Sequence, residues 1–419
     1  MEKHIWILQG DLIFTAGPEA FTSLPQGFLI CSGGHVLTAC QKLPAAYQDI
    51  PVQHMGHRLI LPGFVDLHTH APQFNQIGLG MDDTLLDWLN SYTFPEERHF
   101  QDDAYAERIY STFVDTLAHC GTTRSAIFAT IHKNACRILY QLLQRKGLGA
   151  FLGKVCMDRN APAWLCEDTE TSIQDTRELL QEWQDDPLVR PIITPRFAPT
   201  STPRQLQALG ELALSCHLPV QSHLSENKKE LSWVAELFPE QKNYGRVYEA
   251  FHLFGDTPTL MAHCIYLTED EQQLMAEKKI FAVHCPDSNL NLTSGLMPAR
   301  KLLRAGVPLG LGSDIGAGHT LFMPQAIVRA IQVSKMRALL APEENPLSLS
   351  EAFYLATKGG GSFFGKVGSF EPDFAADLLI LKENPLKAGL SLPERLAHFI
   401  YSGSPDDIQA CYTAGHRIE

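Results

Sequence analysis

The sequence predicts an α/β protein: a (β/α)8 TIM-like barrel with a small β-sandwich domain formed by both chain ends. Two observations carry this. Eight short apolar runs in the middle of the chain alternate with helical patterns, whereas both ends carry short strands and turn residues instead. A third removes the doubly wound open sheet as a competitor, because no glycine fingerprint follows the first run. With 419 residues, the chain has room for one large domain and a smaller one.

The opening stretches "IWILQGDLIFTAG", "GFLICSGGHVLTAC" and "HRLILPG" alternate apolar residues with turn signals, as hairpin strands do. The C-terminal "ADLLILKENP" and "HFIYSGSPDDIQACYTAGHRIE" repeat that style. We expect residues 1–62 and 368–419 to pair as the small domain and 63–367 to form the barrel. The barrel runs are 60–68, 122–129, 150–157, 189–197, 219–224, 259–264, 280–285 and 308–314. Continuous apolar strands of this kind belong to parallel sheets covered on their outer face. Between them, "TETSIQDTRELLQEWQ" (169–184) and "TPRQLQALGELALSC" (202–216) carry apolar residues at helical spacing. "GGG" at 359–361 follows a helical pattern and reads as a helix-ending turn, not a phosphate cradle.

Bulk properties exclude several classes. A net charge of −13, with no basic cluster longer than "NKKE" or "AEKK", argues against nucleic acid as a partner. No apolar run is long enough to span a membrane, and the start lacks a secretory apolar core, so a cytoplasmic location is expected. The ten cysteines are scattered without a Cys-x-x-Cys pair and read as buried reduced thiols.

The polar residues at the strand ends point to chemistry. His68 and His70 close the first run, His223 the fifth, His263 the sixth and Asp314 the eighth. A (β/α)8 barrel gathers its strand C-termini on one face, and residues i and i+2 of a strand share a side. Imidazoles and a carboxylate brought together in this way are the donor set of a hydrolytic metal centre. Of the 17 histidines, His54, His57, His99, His119, His217, His252 and His416 read as ordinary surface or core residues, as do His4 and His132. Glu226, three residues beyond His223, is a solvated or helix-capping carboxylate on the plain reading and a proton shuttle if it overhangs a metal. "HCPDSN" lacks the second cysteine of the H-x-E…P-C-x-x-C deaminase site, which excludes that fold.

Taken together, "PGFVDLHTH", "QSHLSEN", "MAHC", "HCPDSN" and "LGLGSDIGAG" resemble the amidohydrolase superfamily across nearly the whole chain. Further strings narrow this to a branch whose members deaminate guanine: "HAPQ", "LLDWLNSYTFPEE", "FATIH", "GKVCMDRN", "TPRF" and "KNYGRVY". The resemblance implies hydrolysis of guanine to xanthine and ammonia in purine catabolism, with one Zn2+ per chain (Fe2+ suits the same donors). It implies His68, His70, His223 and Asp314 as metal ligands, and Glu226, His263 and Asp314 as catalytic residues. Gln73, Arg196 and Phe197 match purine-contacting positions, with His223, Glu226 and Asp314 also facing the base. The implied partner is a small purine, and the implied assembly a homodimer. Other aminopurines, pterins or triazines remain alternative substrates, and a non-catalytic relative that binds a partner is the reading of another class. His284 is expected to support the site from behind.

Overall fold

The protein is described by a computed structural model covering residues 5–183, 185–342, 344–384, 386 and 389–418. His4 and the outermost residues of the expected end domain lie outside the described residues.

The N-terminal strands are Ile5–Thr15, Phe21–Ser32, His35–Cys40 and Val52–Pro62. From the other end come Leu378–Leu381, Ile408–Thr413 and His416–Ile418. The ends do pair: Leu379 lies opposite Leu61 in an antiparallel ladder. The expected small sandwich is corrected, however, because all seven strands belong to one sheet. The reason lies in the period-2 alternation. Leu12, Ile60, Leu378 and Ile380 fill one face with Phe14, Leu29 and Phe370. Their neighbours Ile13, Leu59, Leu61, Leu379 and Leu381 join the main core with Phe64, Phe113 and Leu117. The neighbouring helical layer takes the place of a second sheet.

The expected run 60–68 is also divided. Residues 60–62 finish the end sheet, Gly63 breaks the strand, and the next strand is Phe64–His70. A Cβ at Gly63 would lie 2.3 Å from Thr123 Cγ2, so a side chain there would force the strands apart.

Eight parallel strands then follow one another. Phe64–His70, Thr122–Phe128, Gly149–Gly153 and Val189–Pro191 form one four-stranded sheet. Val220–Leu224, Thr259–His263, Phe281–His284 and Leu309–Leu311 form another. Two seams join them into a ring. At one, Ile193 N donates to Pro219 O and Gln221 N donates to Ile193 O, both at 2.9 Å. At the other, Asp314 N donates to His68 O at 2.8 Å. The strands Phe64–His70 and Thr122–Phe128 are buried at every position, as a ring with a filled interior and a helical coat requires.

The helices fall where their spacing predicts. Thr169–Trp183 buries Ile173, Leu179 and Leu180. Pro203–Cys216 starts at Thr202, whose side chain accepts from Gln205 N, and stops at His217, which takes the left-handed conformation. The reading of Gly359–Gly361 as a turn is overturned, because the chain stays helical through them. Their lack of side chains serves packing instead: a Cβ on Gly361 would lie 2.3 Å from Val367 O.

Candidate active site

The ring delivers the polar strand ends to one place. His68 Nε2 lies 3.2 Å from Asp314 Oδ1, and His70 Nε2 lies 3.6 Å from the same oxygen. His223 Nε2 faces His70 Nε2 at 3.1 Å. His263 Nε2 lies 3.8 Å from Asp314 Oδ2 and 3.4 Å from Glu226 Oε2. His68, His70, His263, Glu226 and Asp314 are all buried. Local backbone strain aims two of them, since His263 has φ +72° and Asp314 φ +47°, a region costly for residues with a Cβ. Asp314 N donates to His68 O at 2.8 Å and Cys264 N to Leu224 O at 2.9 Å, which ties the backbone at both positions to a neighbouring strand.

Hydrogen bonding sets which imidazole nitrogens face inward. His223 Nδ1 donates to Arg196 O at 2.6 Å, and His263 Nδ1 donates to Asn289 Oδ1 at 2.8 Å. Each therefore presents an Nε2 lone pair to the site. Burial lowers the pKa of His68 even against the pull of Asp314. Burial and the neighbouring His68 hold His70 and His223 well below the ordinary value, so these rings stay neutral. Burial alone would raise Asp314, but His68 and His263 hold its carboxyl well below the usual range.

This donor set fits a divalent metal. Ligand atoms of His68, His70 and His223 all lie within 4.8 Å of one another. His68 Nε2 is buried without a hydrogen-bond partner, and the Nε2 atoms of His70 and His223 confront each other across 3.1 Å. A cation among three neutral imidazoles and an ionised carboxylate resolves that cluster of unmatched acceptors.

Glu226 does not cap the following helix. That task falls to Asn227 and Glu230, which form a capping box at Lys228–Leu237. Glu230 also accepts from Glu226 N at 2.8 Å, fixing the backbone under the Glu226 side chain. Ser294 Oγ donates to Glu226 Oε1 at 3.1 Å, leaving Oε2 toward His263. Burial and the charge of Asp314 push the Glu226 carboxyl up to about 8, against the Ser294 hydrogen bond.

Beside the cluster opens a cavity with about 410 Å³ of empty space, part of it continuous with solvent. His70, His223, Glu226, His263 and Asp314 form its polar wall, and Gln73, Arg196 and Phe197 line it too. Leu85, Trp88, Leu89 and Leu292 supply apolar surface. Arg196 is no surface cation: it is 3% exposed, and its Nη1 lies 2.8 Å from both Glu97 oxygens. The structure thus brings every predicted site residue together, with His68 lying behind the cavity wall. His284 is completely buried beyond His263, with neither ring nitrogen hydrogen-bonded.

Sequence reasoning missed four residues. Asp66 ties the first strand to the Asp314 loop by accepting from His68 N at 3.2 Å and Ser313 N at 2.9 Å. Its place two residues before His68 was the available signal. Asn289 and Glu97 sit inside strings already singled out, "HCPDSN" and "LLDWLNSYTFPEE", but nothing local marked them. Ser294 carried no signal at all.

Comparison with known proteins decides the family. A model described as the amidohydrolase family matches residues 59–418. The chain belongs to the amidohydrolase family. Among related amidohydrolases, the guanine deaminase of Dictyostelium discoideum is 40% identical over 376 residues, covering 87% of this chain and 83% of its own. A crystal structure of guanine deaminase from C. acetobutylicum, with guanine bound in its active site, superposes with a TM-score of 0.98. It is 44% identical and covers 99% of this amidohydrolase and 100% of its own chain. An adenosine deaminase from Xanthomonas campestris with bound zinc shares the fold, with a TM-score of 0.83 at 24% identity over 98% of this chain and 92% of its own.

Proposed function

We propose that this amidohydrolase hydrolyses guanine to xanthine and ammonia, a step of purine catabolism. The observation that carries the reading is the His68–His70–His223–Asp314 cluster, opening on one cavity with Gln73, Arg196 and Phe197. The likeness to guanine deaminases, 44% in one guanine-bound case, supports the same substrate.

His68, His70, His223 and Asp314 would hold the metal, read here as one Zn2+ per chain. Such a cation supplies Lewis-acid polarisation and an acidified water. The chain's own groups then handle substrate and protons. Arg196 donates to the O6/N7 side of the base, Gln73 binds the amide-like edge, and Phe197 packs on the ring. Asp314 takes the first water proton as oxygen bonds to C2. Glu226, holding a proton at neutral pH, delivers it to N3 and makes C2 more electrophilic. His263, with Nδ1 tied to Asn289, aims Nε2 at the oxygen. Asp314 returns its proton to the amino group, which leaves as ammonia, and the C2 hydroxyl proton restores Glu226. Guanine and water become xanthine and ammonia, with every proton accounted for.

In the same reading the eight-strand ring is a closed (β/α)8 barrel over 63–367, and 1–62 with 368–419 form the smaller domain. The enzyme is taken as a cytoplasmic homodimer. Support for that compartment comes from its free cysteines and from the lack, among the described residues, of any helix long and apolar enough to cross a membrane. Light scattering tests the assembly. The function is tested by following xanthine and ammonia formation from guanine, beside a panel of other aminopurines, pterins and triazines. No product from guanine, with turnover of another member of the panel, overturns the choice of substrate.

A further inference from the structure

We infer that Glu97, which does not line the cavity, sets the hydrogen-bond polarity of base recognition and so selects 6-oxopurines over 6-aminopurines. The inference rests on the guanine reading above and deepens it.

Glu97 lies in the short helix Phe94–Arg98 and is completely buried. Its carboxylate joins the two polar residues that line the recognition side of the cavity. Gln73 Nε2 donates to Glu97 Oε1 at 3.2 Å, and Arg196 Nη1 lies 2.8 Å from both Glu97 oxygens. Gln73 and Arg196 are themselves only 2% and 3% exposed. No solvent competes for these bonds, and a mismatched group here would go unsatisfied.

A carboxylate only accepts hydrogen bonds. It therefore claims the NH2 of Gln73, and a flipped amide would set oxygen against oxygen in a buried site. Gln73 keeps Oε1 as its acceptor, with one Nε2 hydrogen to spare. That oxygen lies toward the loop after the eighth strand: a Cβ on Gly316 would come within 2.9 Å of it, and Gly316 has φ +103°. Arg196 commits Nη1 to Glu97 and keeps Nε and Nη2, which only donate. The pair thus offers one acceptor beside donors.

A 6-oxopurine matches this pattern, with an N1–H donor beside the O6 acceptor. A 6-aminopurine inverts both groups, presenting an N1 acceptor beside an N6–H2 donor. Sites that bury a committed hydrogen-bonding group reject an inverted partner far better than they reject a missing methylene. Glu97 acts through Gln73 and Arg196, so it is a positioning residue and not a catalytic one.

The probe is 2,6-diaminopurine, which keeps the 2-amino group that leaves but inverts the 6-position edge. In Glu97→Gln the new amide both donates and accepts, so Gln73 is free to flip. The variant should raise KM for guanine about tenfold or more, with kcat within about threefold. The preference in kcat/KM for guanine over 2,6-diaminopurine should fall at least about tenfold. An unchanged preference in the folded variant overturns the inference, as does a loss shared equally by both substrates. If Glu97→Gln does not fold, Glu97→Asp keeps the acceptor-only charge. It should retain the preference for guanine at a higher KM, and loss of that preference overturns the inference. Failure of the parental enzyme on guanine would instead refute the proposed function.

Discussion

Replacing Glu226 with glutamine isolates proton delivery from metal binding. The carboxyl is buried, Oε1 accepts from Ser294 at 3.1 Å, and Oε2 lies 3.4 Å from His263 Nε2. Glutamine is close to isosteric and still accepts from Ser294, so the cavity keeps its shape. What it cannot do is give up a proton. Burial and the charge of Asp314 push the carboxyl up to about 8, which favours the proton-carrying form. Removing a positioned general acid–base typically costs about 10²–10⁴-fold, or about 3–5 kcal/mol of barrier. We expect kcat for guanine to fall about 10³-fold, with KM within about threefold. Metal content should not change, because the facing nitrogens belong to His68, His70 and His223. The acid form is the working form, so parental activity should fall as pH rises through the Glu226 value. A cation at the histidines draws that value down, placing the alkaline limb at or below about pH 8. The residual activity of the variant should lack this limb. Steady-state kinetics across pH 6–9, with metal analysis on the same samples, measures all of this. A kcat within about fivefold of the parent would refute the reasoning, and so would loss of metal in step with activity.

Two further perturbations test the metal and the folded state. Chelation should abolish deamination and lower the melting temperature, with both restored by Zn2+; free metal at a thousandfold over Kd stabilises by about 4 kcal/mol. Undiminished activity after exhaustive chelation, with metal analysis confirming removal, would refute a metal site at His68, His70 and His223. His132 precedes the helix Lys133–Lys146, and burial with the nearby Lys154 pushes its imidazole down to about 4. The unfolded chain takes up that proton near 6.5, so stability is intact above that pH and is lost as pH falls toward 4. Partial exposure screens the effect, leaving about 1–3 kcal/mol. His132→Asn also places a good helix-capping residue there, and urea unfolding at pH 7.0 and 4.5 should show a smaller acid loss than in the parent. Equal losses in the two proteins would refute the assignment.

The split between what was readable in the sequence and what was not follows interaction range. His68 and His70 were readable because strand periodicity is local: two histidines at i and i+2 share a side wherever the strand sits. His223, His263 and Asp314 were readable because each closes an apolar run, and parallel strands with helical returns bring their ends to one face. The small domain was readable as strands but not as one sheet, since alternation shows that both faces are buried without showing what covers them. Only the folded chain shows Ile13, Leu61 and Leu379 packed into the main core. Glu97 marks the limit most clearly. A glutamate in "PEE" reads as a solvated helix face, yet it is completely buried against an arginine 99 residues away. Local pattern determined which chemistry the strand ends carry. Which buried carboxylate orients the recognition groups was decided by long-range packing, because a hydrogen bond between residues far apart in the chain leaves no periodic trace in either segment.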